Sequence, residues 1–105
     1  MMMDMDDFIA RIERIKKELK KQEIDVATAV NELKAIYDRL DAIMDEVRRA
    51  YRRVEELVTG GPVYQIVSFA SIRQLRESYN DAITQLEELK DTVYDMLIDL
   101  MDSGK

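Results

Sequence analysis

From Val26 to Val58, apolar and aromatic residues fall in three unbroken columns of a seven-residue repeat. The a positions are Val26, Leu33, Leu40, Val47 and Val54, and the d positions are Ala29, Ile36, Ile43, Ala50 and Leu57. The e positions, Val30, Tyr37, Met44, Tyr51 and Val58, complete the third column. Periodicity sustained over so many turns signals an α-helix. A two-stranded coiled coil needs only a and d, so the extra column marks a helix that touches two neighbours. The chain is therefore read as a helical bundle built around this segment.

Upstream, Met5, Phe8, Ile12, Ile15 and Leu19 step by three and four, with Ile9 beside them, predicting a first helix over about 5–22. Asp4, Asp6 and Asp7 lie at its positive N-terminal end, and Lys16, Lys17, Lys20 and Lys21 near its negative C-terminal end. The heptad register runs on through Gln22, so one uninterrupted helix from Met5 to Leu57 would also satisfy the pattern. Against it, Gln22 interrupts the apolar column and Asp25 is suited to cap a new helix at Val26, which favours a break near 22–25. The central helix is expected to stop with Gly60 as a left-handed residue, followed by Pro62. A third helix repeats the pattern at Ile72, Leu75, Tyr79, Ala82, Leu86, Leu89, Val93, Met96 and Leu100. Either Ser68 or Ser71, the latter with Gln74, can cap its start.

The expected architecture is all-α: an antiparallel bundle of three helices, about 5–22, 25–59 and 70–102, the last two forming a long hairpin. Residues 1–105 make a single domain, with 1–4 and 103–105 frayed. Three Gly, one Pro and 36% charged residues suit long helices. With no Cys and no His, the chain lacks disulfides, thiolate metal sites, and the commonest metal ligand and general base. No nucleophile–base pair, phosphate-cradling Gly loop or zinc spacing is present, so no catalytic residue, cofactor or metal is assigned and the chain is read as non-enzymatic. The net charge of −6 disfavours binding of nucleic acid or anionic lipid by the molecule as a whole. No apolar run is long enough to span a bilayer, and the Asp-rich start is unlike a signal peptide, giving a cytoplasmic expectation.

Reach carries the functional argument. At 1.5 Å per residue, the second and third helices are each about 50 Å long, whereas the first covers about half of that. Pairing Leu57 with Ile72 brings Ile43 near Leu86. The first helix, folded back, would cover Val30, Tyr37, Tyr94, Ile98 and Met101 and reach only to Ile43. Met44, Tyr51, Val58, Ile83 and the connector residues Tyr64, Ile66 and Phe69 would then lack cover. Leaving such side chains in water forfeits roughly 1.5–3 kcal/mol each, and apolar patches of that size mark interfaces. A homodimer closing a four-helix-type bundle is the expected answer.

Three further features bear on partners. Arg48, Arg49, Arg52 and Arg53, with Arg73 and Arg76 arriving across the hairpin, form a candidate anion site, because guanidinium forks grip oxyanions in pairs. A solvated face neutralised by Asp45, Glu46, Glu55, Glu56 and Glu77 is the competing reading. Thr59 to Ile72 carries no charge and is expected to contact a protein partner or the second subunit. Asp91, Asp95, Asp99 and Asp102 read as a solvated face, since a helix offers no wrapped oxygen cage. The expected function is a non-enzymatic assembly module that self-associates and presents its 59–72 end to a protein. The alternative is polyanion binding through the arginines at that end.

Overall fold

The computed structural model describes residues 5–60 and 69–103, and within them the side chains of 5–58 and 70–102. The described residues form three helices, α1 (Met5–Lys20), α2 (Val26–Gly60) and α3 (Phe69–Ser103), with no strand among them. The all-α reading and the three helices agree with the heptad analysis.

The break between α1 and α2 is made without glycine or proline. The Gln22 N–H donates to the Leu19 carbonyl at 3.2 Å and the Glu23 N–H to the Glu18 carbonyl at 2.8 Å. Those two bonds are the Schellman pattern, which requires a left-handed residue at its corner. Gln22 supplies it at φ 59°. Asp25 then caps α2, its carboxylate accepting from the Thr28 N–H at 2.7 Å while its carbonyl accepts from the Ala29 N–H at 3.0 Å. The Thr28 bonds hold the Asp25 carboxyl below its ordinary pKa. The expected break and cap are both present.

Two details of the other ends differ from expectation. Gly60 is the last residue of α2, and no described glycine has positive φ, so it is not the left-handed terminator. Pro62 and Ser68 lie outside the described residues. Because α3 begins at Phe69, Ser71 sits inside its first turn and does not cap it.

The chain packs as two compact units: Met1–Leu40 with Leu89–Lys105, and Asp41–Glu88. In the first, Phe8, Ile12 and Ile15 of α1 are buried with Ala29, Leu33, Ile36 and Leu40 of α2 and Val93 and Leu97 of α3. Arg14 of α1 reaches Glu32 at 3.8 Å, which places α1 on the g side of α2. The Tyr37 and Tyr94 rings, 6.4 Å apart, and Lys90 at 4.8 Å over Tyr37 place α3 on the e side. Ala29, Leu33, Ile36 and Leu40 of the a and d columns are enclosed between the two, whereas Val26, at the start of α2, is 42% exposed. This corrects the expected cover: α1 does not lie over Tyr94, Ile98 and Met101, which are exposed, while Val30 and Tyr37 are half-buried.

The second unit holds only α2 and α3. Arg48 meets Glu87 at 3.8 Å, Tyr51 stacks on Tyr79, and Glu55 meets Arg76 at 3.6 Å. Numbers rise on one helix as they fall on the other, so the segments are antiparallel. Tyr51 and Tyr79 lie within one residue of the register expected from pairing Leu57 with Ile72.

All three contacts leave α2 from its b and e positions. Here, then, α3 covers the e column and leaves part of the a and d columns uncovered. Met44, expected to lack cover, is buried at 2% exposure for that reason, along with Ile43, Ile72 and Leu86. Val54 and Leu57, expected in the seam, are 40% and 64% exposed instead.

Candidate functional site

Rotation of the seam opens a groove in the second unit. Val47, Ala50, Tyr51 and Val54 of α2 and Leu75, Ser78 and Tyr79 of α3 line a space of about 330 Å³. None of these side chains carries a charge at neutral pH. Leu57 stands exposed one turn beyond Val54, on the same heptad columns. In the first unit Ala29, Leu33, Ile36 and Leu40 of these columns are buried together with α1; among the described residues the second unit has no third helix.

The groove floor is held by an aromatic and ionic stitch. The Tyr51 and Tyr79 rings are stacked, parallel within 12° and with centroids 4.0 Å apart. The Glu55 carboxylate accepts from the Tyr51 hydroxyl, which, with some burial, pushes that phenol above its usual pKa. Arg76, beside the pair and 3.6 Å from Glu55, pulls it the other way. A smaller polar hollow of about 220 Å³ adjoins, lined by Arg48, Tyr51, Arg52, Glu55 and Tyr79.

The six arginines do not act as one cluster. Arg48 is divided between Asp45 at 3.6 Å and Glu87 at 3.8 Å, and Arg76 is paired with Glu55. Arg73 is exposed and also engaged within the chain. Arg49, Arg52 and Arg53 are exposed and make no ion pair with a described residue. Arg48 and Arg52 line one small cavity together. The arrangement matches the locally neutralised face for half of the set and leaves three guanidiniums of α2 to solvent.

Of the residues expected at an interface, Met44 is buried, and Tyr51, Val58 and Ile83 are half-buried. Tyr64 and Ile66 lie outside the described residues; Phe69 is in α3, with its side chain outside them. The Asp91, Asp95, Asp99 and Asp102 row is exposed, and no group of three or more potential ligands among the described residues is placed to hold a metal ion. Nor, among those residues, is any helix long and apolar enough to cross a membrane.

No protein-family model, curated protein or solved structure matches this chain. Function therefore has to be argued from the groove. Sequence reading missed its residues by placing Val47, Ala50, Val54, Leu57 and Leu75 in an enclosed seam. One signal was available: Ser71, Gln74, Ser78, Ala82 and Gln85 run uncharged along α3 at helical spacing, in a chain that is 36% charged. That face of α3 borders the groove.

Proposed function

We propose that this protein is a non-enzymatic helical assembly module that self-associates through the apolar groove of its second unit. One observation carries the reading: Val54 and Leu57, heptad residues by sequence, stand exposed beside a groove without a charged lining. A heptad that stays apolar where its own chain supplies no cover is suited to cover from another chain. A second copy is the occupant, because a matching hairpin supplies the two missing helices of a four-helix bundle. The 59–72 end remains the region offered to a protein partner. Light scattering on the purified chain at high micromolar concentration tests the self-association. Val54→Glu should convert the dimer to a monomer with unchanged helical circular dichroism, since the position is partly exposed in the single chain. A Val54→Glu chain that still dimerises would rule out the groove as the contact.

A second reading rests on Arg49, Arg52 and Arg53, exposed and without an ion pair to a described residue. Such a row on one helix can bind a polyanion by phosphate neutralisation, with steep salt dependence. Arg49→Glu with Arg52→Glu should then abolish a mobility shift of labelled RNA or DNA at low salt. Absence of any shift in the wild type removes this reading.

A further inference from the structure

The g positions flanking the groove carry charge on α2 and none on α3, and the α2 charges have the symmetry of a two-fold axis. On α2 the g positions beside the groove are Glu46 and Arg53, one heptad apart. Both are exposed, and neither makes an ion pair with a described residue. On α3 the g positions are the uncharged Ser71, Ser78 and Gln85, all exposed, with Asp81 exposed one turn beyond Ser78. Resting on the self-association just described, we propose that two copies pair with α2 antiparallel to α2 of the second copy, Glu46 of each facing Arg53 of the other.

Two face-to-face arrangements of identical hairpins have two-fold symmetry. With the axis along the helices, α2 packs on α3 of the second copy and both loop ends lie together. Glu46 and Arg53 then meet only serine and glutamine, and the arginine-rich segments of both copies crowd at one end. With the axis perpendicular to the helices, α2 packs on α2 and α3 on α3, and the loop ends point apart. Antiparallel helices bring g positions opposite g positions, where ion pairs set partner and orientation. Placing Glu46 opposite Arg53 puts the axis between Val47 and Ala50. Val47 then packs on Ala50 of the second copy, and Val54 faces its Ile43. The small side chain of Ala50 lets the helices approach closely at the axis. On the other pair, Ser78 and Ala82 meet near the centre, with the exposed Asp81 outside them. The second arrangement pairs the charges of α2; the first leaves them facing serine and glutamine.

Charge reversal tests the orientation. Glu46→Arg alone and Arg53→Glu alone each place like charges across both sites of the dimer. Each should weaken self-association about ten-fold or more, two symmetric sites being affected at once. Mixed together, the two variants should form a one-to-one heterodimer, because every facing pair is then of opposite sign. The doubly reversed chain, Glu46→Arg with Arg53→Glu, should dimerise like the wild type. Circular dichroism should be unchanged throughout, since both positions are solvent-facing in the single chain. Sedimentation velocity reads the wild type, the three variants and the mixture. If the wild type dimerises and both single variants dimerise equally well, the antiparallel pairing is overturned while groove-mediated association stands. A monomeric wild type overturns both.

Discussion

Gln22 and Asp25 show how single residues decide where this chain bends. A β-carbon at φ 59° costs about 1–2 kcal/mol relative to the right-handed region, and only glycine escapes it. Gln22→Gly should therefore stabilise the fold by about 1 kcal/mol, less the extra freedom glycine gives the unfolded chain. Urea denaturation followed by circular dichroism measures it; no change would mean the turn imposes no left-handed geometry in solution. Asp25 works on the other side of the bend. Its folded-state pKa is depressed by the Thr28 bonds, so its contribution is present above the unfolded carboxylate pKa of about 3.9. That contribution fades as pH falls through the lower folded value. Asp25→Ala should thus be less stable than the wild type at neutral pH, and the two should converge in acid. The cap was legible in the sequence because Asp precedes an apolar-periodic run. The turn was less so, because glutamine at a left-handed corner carries no compositional mark.

At the scale of elements, the heptads foretold three helices and the antiparallel register of the long pair, and they misjudged which side of α2 each neighbour takes. Three columns tell that a helix has two neighbours without telling which column lies between them. Contacts such as Tyr37 with Tyr94 and Arg14 with Glu32 decide it, and these depend on spatial partners that periodicity does not encode. The consequence is measurable. Leu33, fully buried among three helices, should cost about 2–5 kcal/mol when changed to Ala, by lost transfer energy and a residual cavity. Leu57, in a different d-type turn of the same helix, is 64% exposed, and Leu57→Ala should cost less than about 0.5 kcal/mol in dilute solution. Equal losses at the two positions would contradict the open face of the second unit.

For the whole molecule, the two compact units differ in what closes them. One encloses Leu33, Ile36 and Leu40 of α2 with α1; the other leaves Val54 and Leu57 exposed beside a groove. The candidate site was only partly readable in advance. Reasoning from helix lengths expected Met44, Tyr51, Val58 and Ile83 to lack cover. Met44 is instead buried, the other three are half-buried, and the exposed residues beside the groove are Val54 and Leu57. Those positions follow from the rotation of α2 against α3. For the arginines the sequence offered both an anion site and a locally neutralised face; Arg48 pairs with Asp45 and Glu87, and Arg76 with Glu55. A dimer would also make thermal stability depend on protein concentration, as any association of folded chains does.

Sedimentation equilibrium of the wild-type chain over a wide concentration range tests the groove-mediated assembly most directly. The account predicts a molar mass rising with concentration from that of the 12.3 kDa chain to twice that value. It also predicts that Val54→Glu abolishes the rise. A mass that stays at 12.3 kDa into the high micromolar range would contradict it.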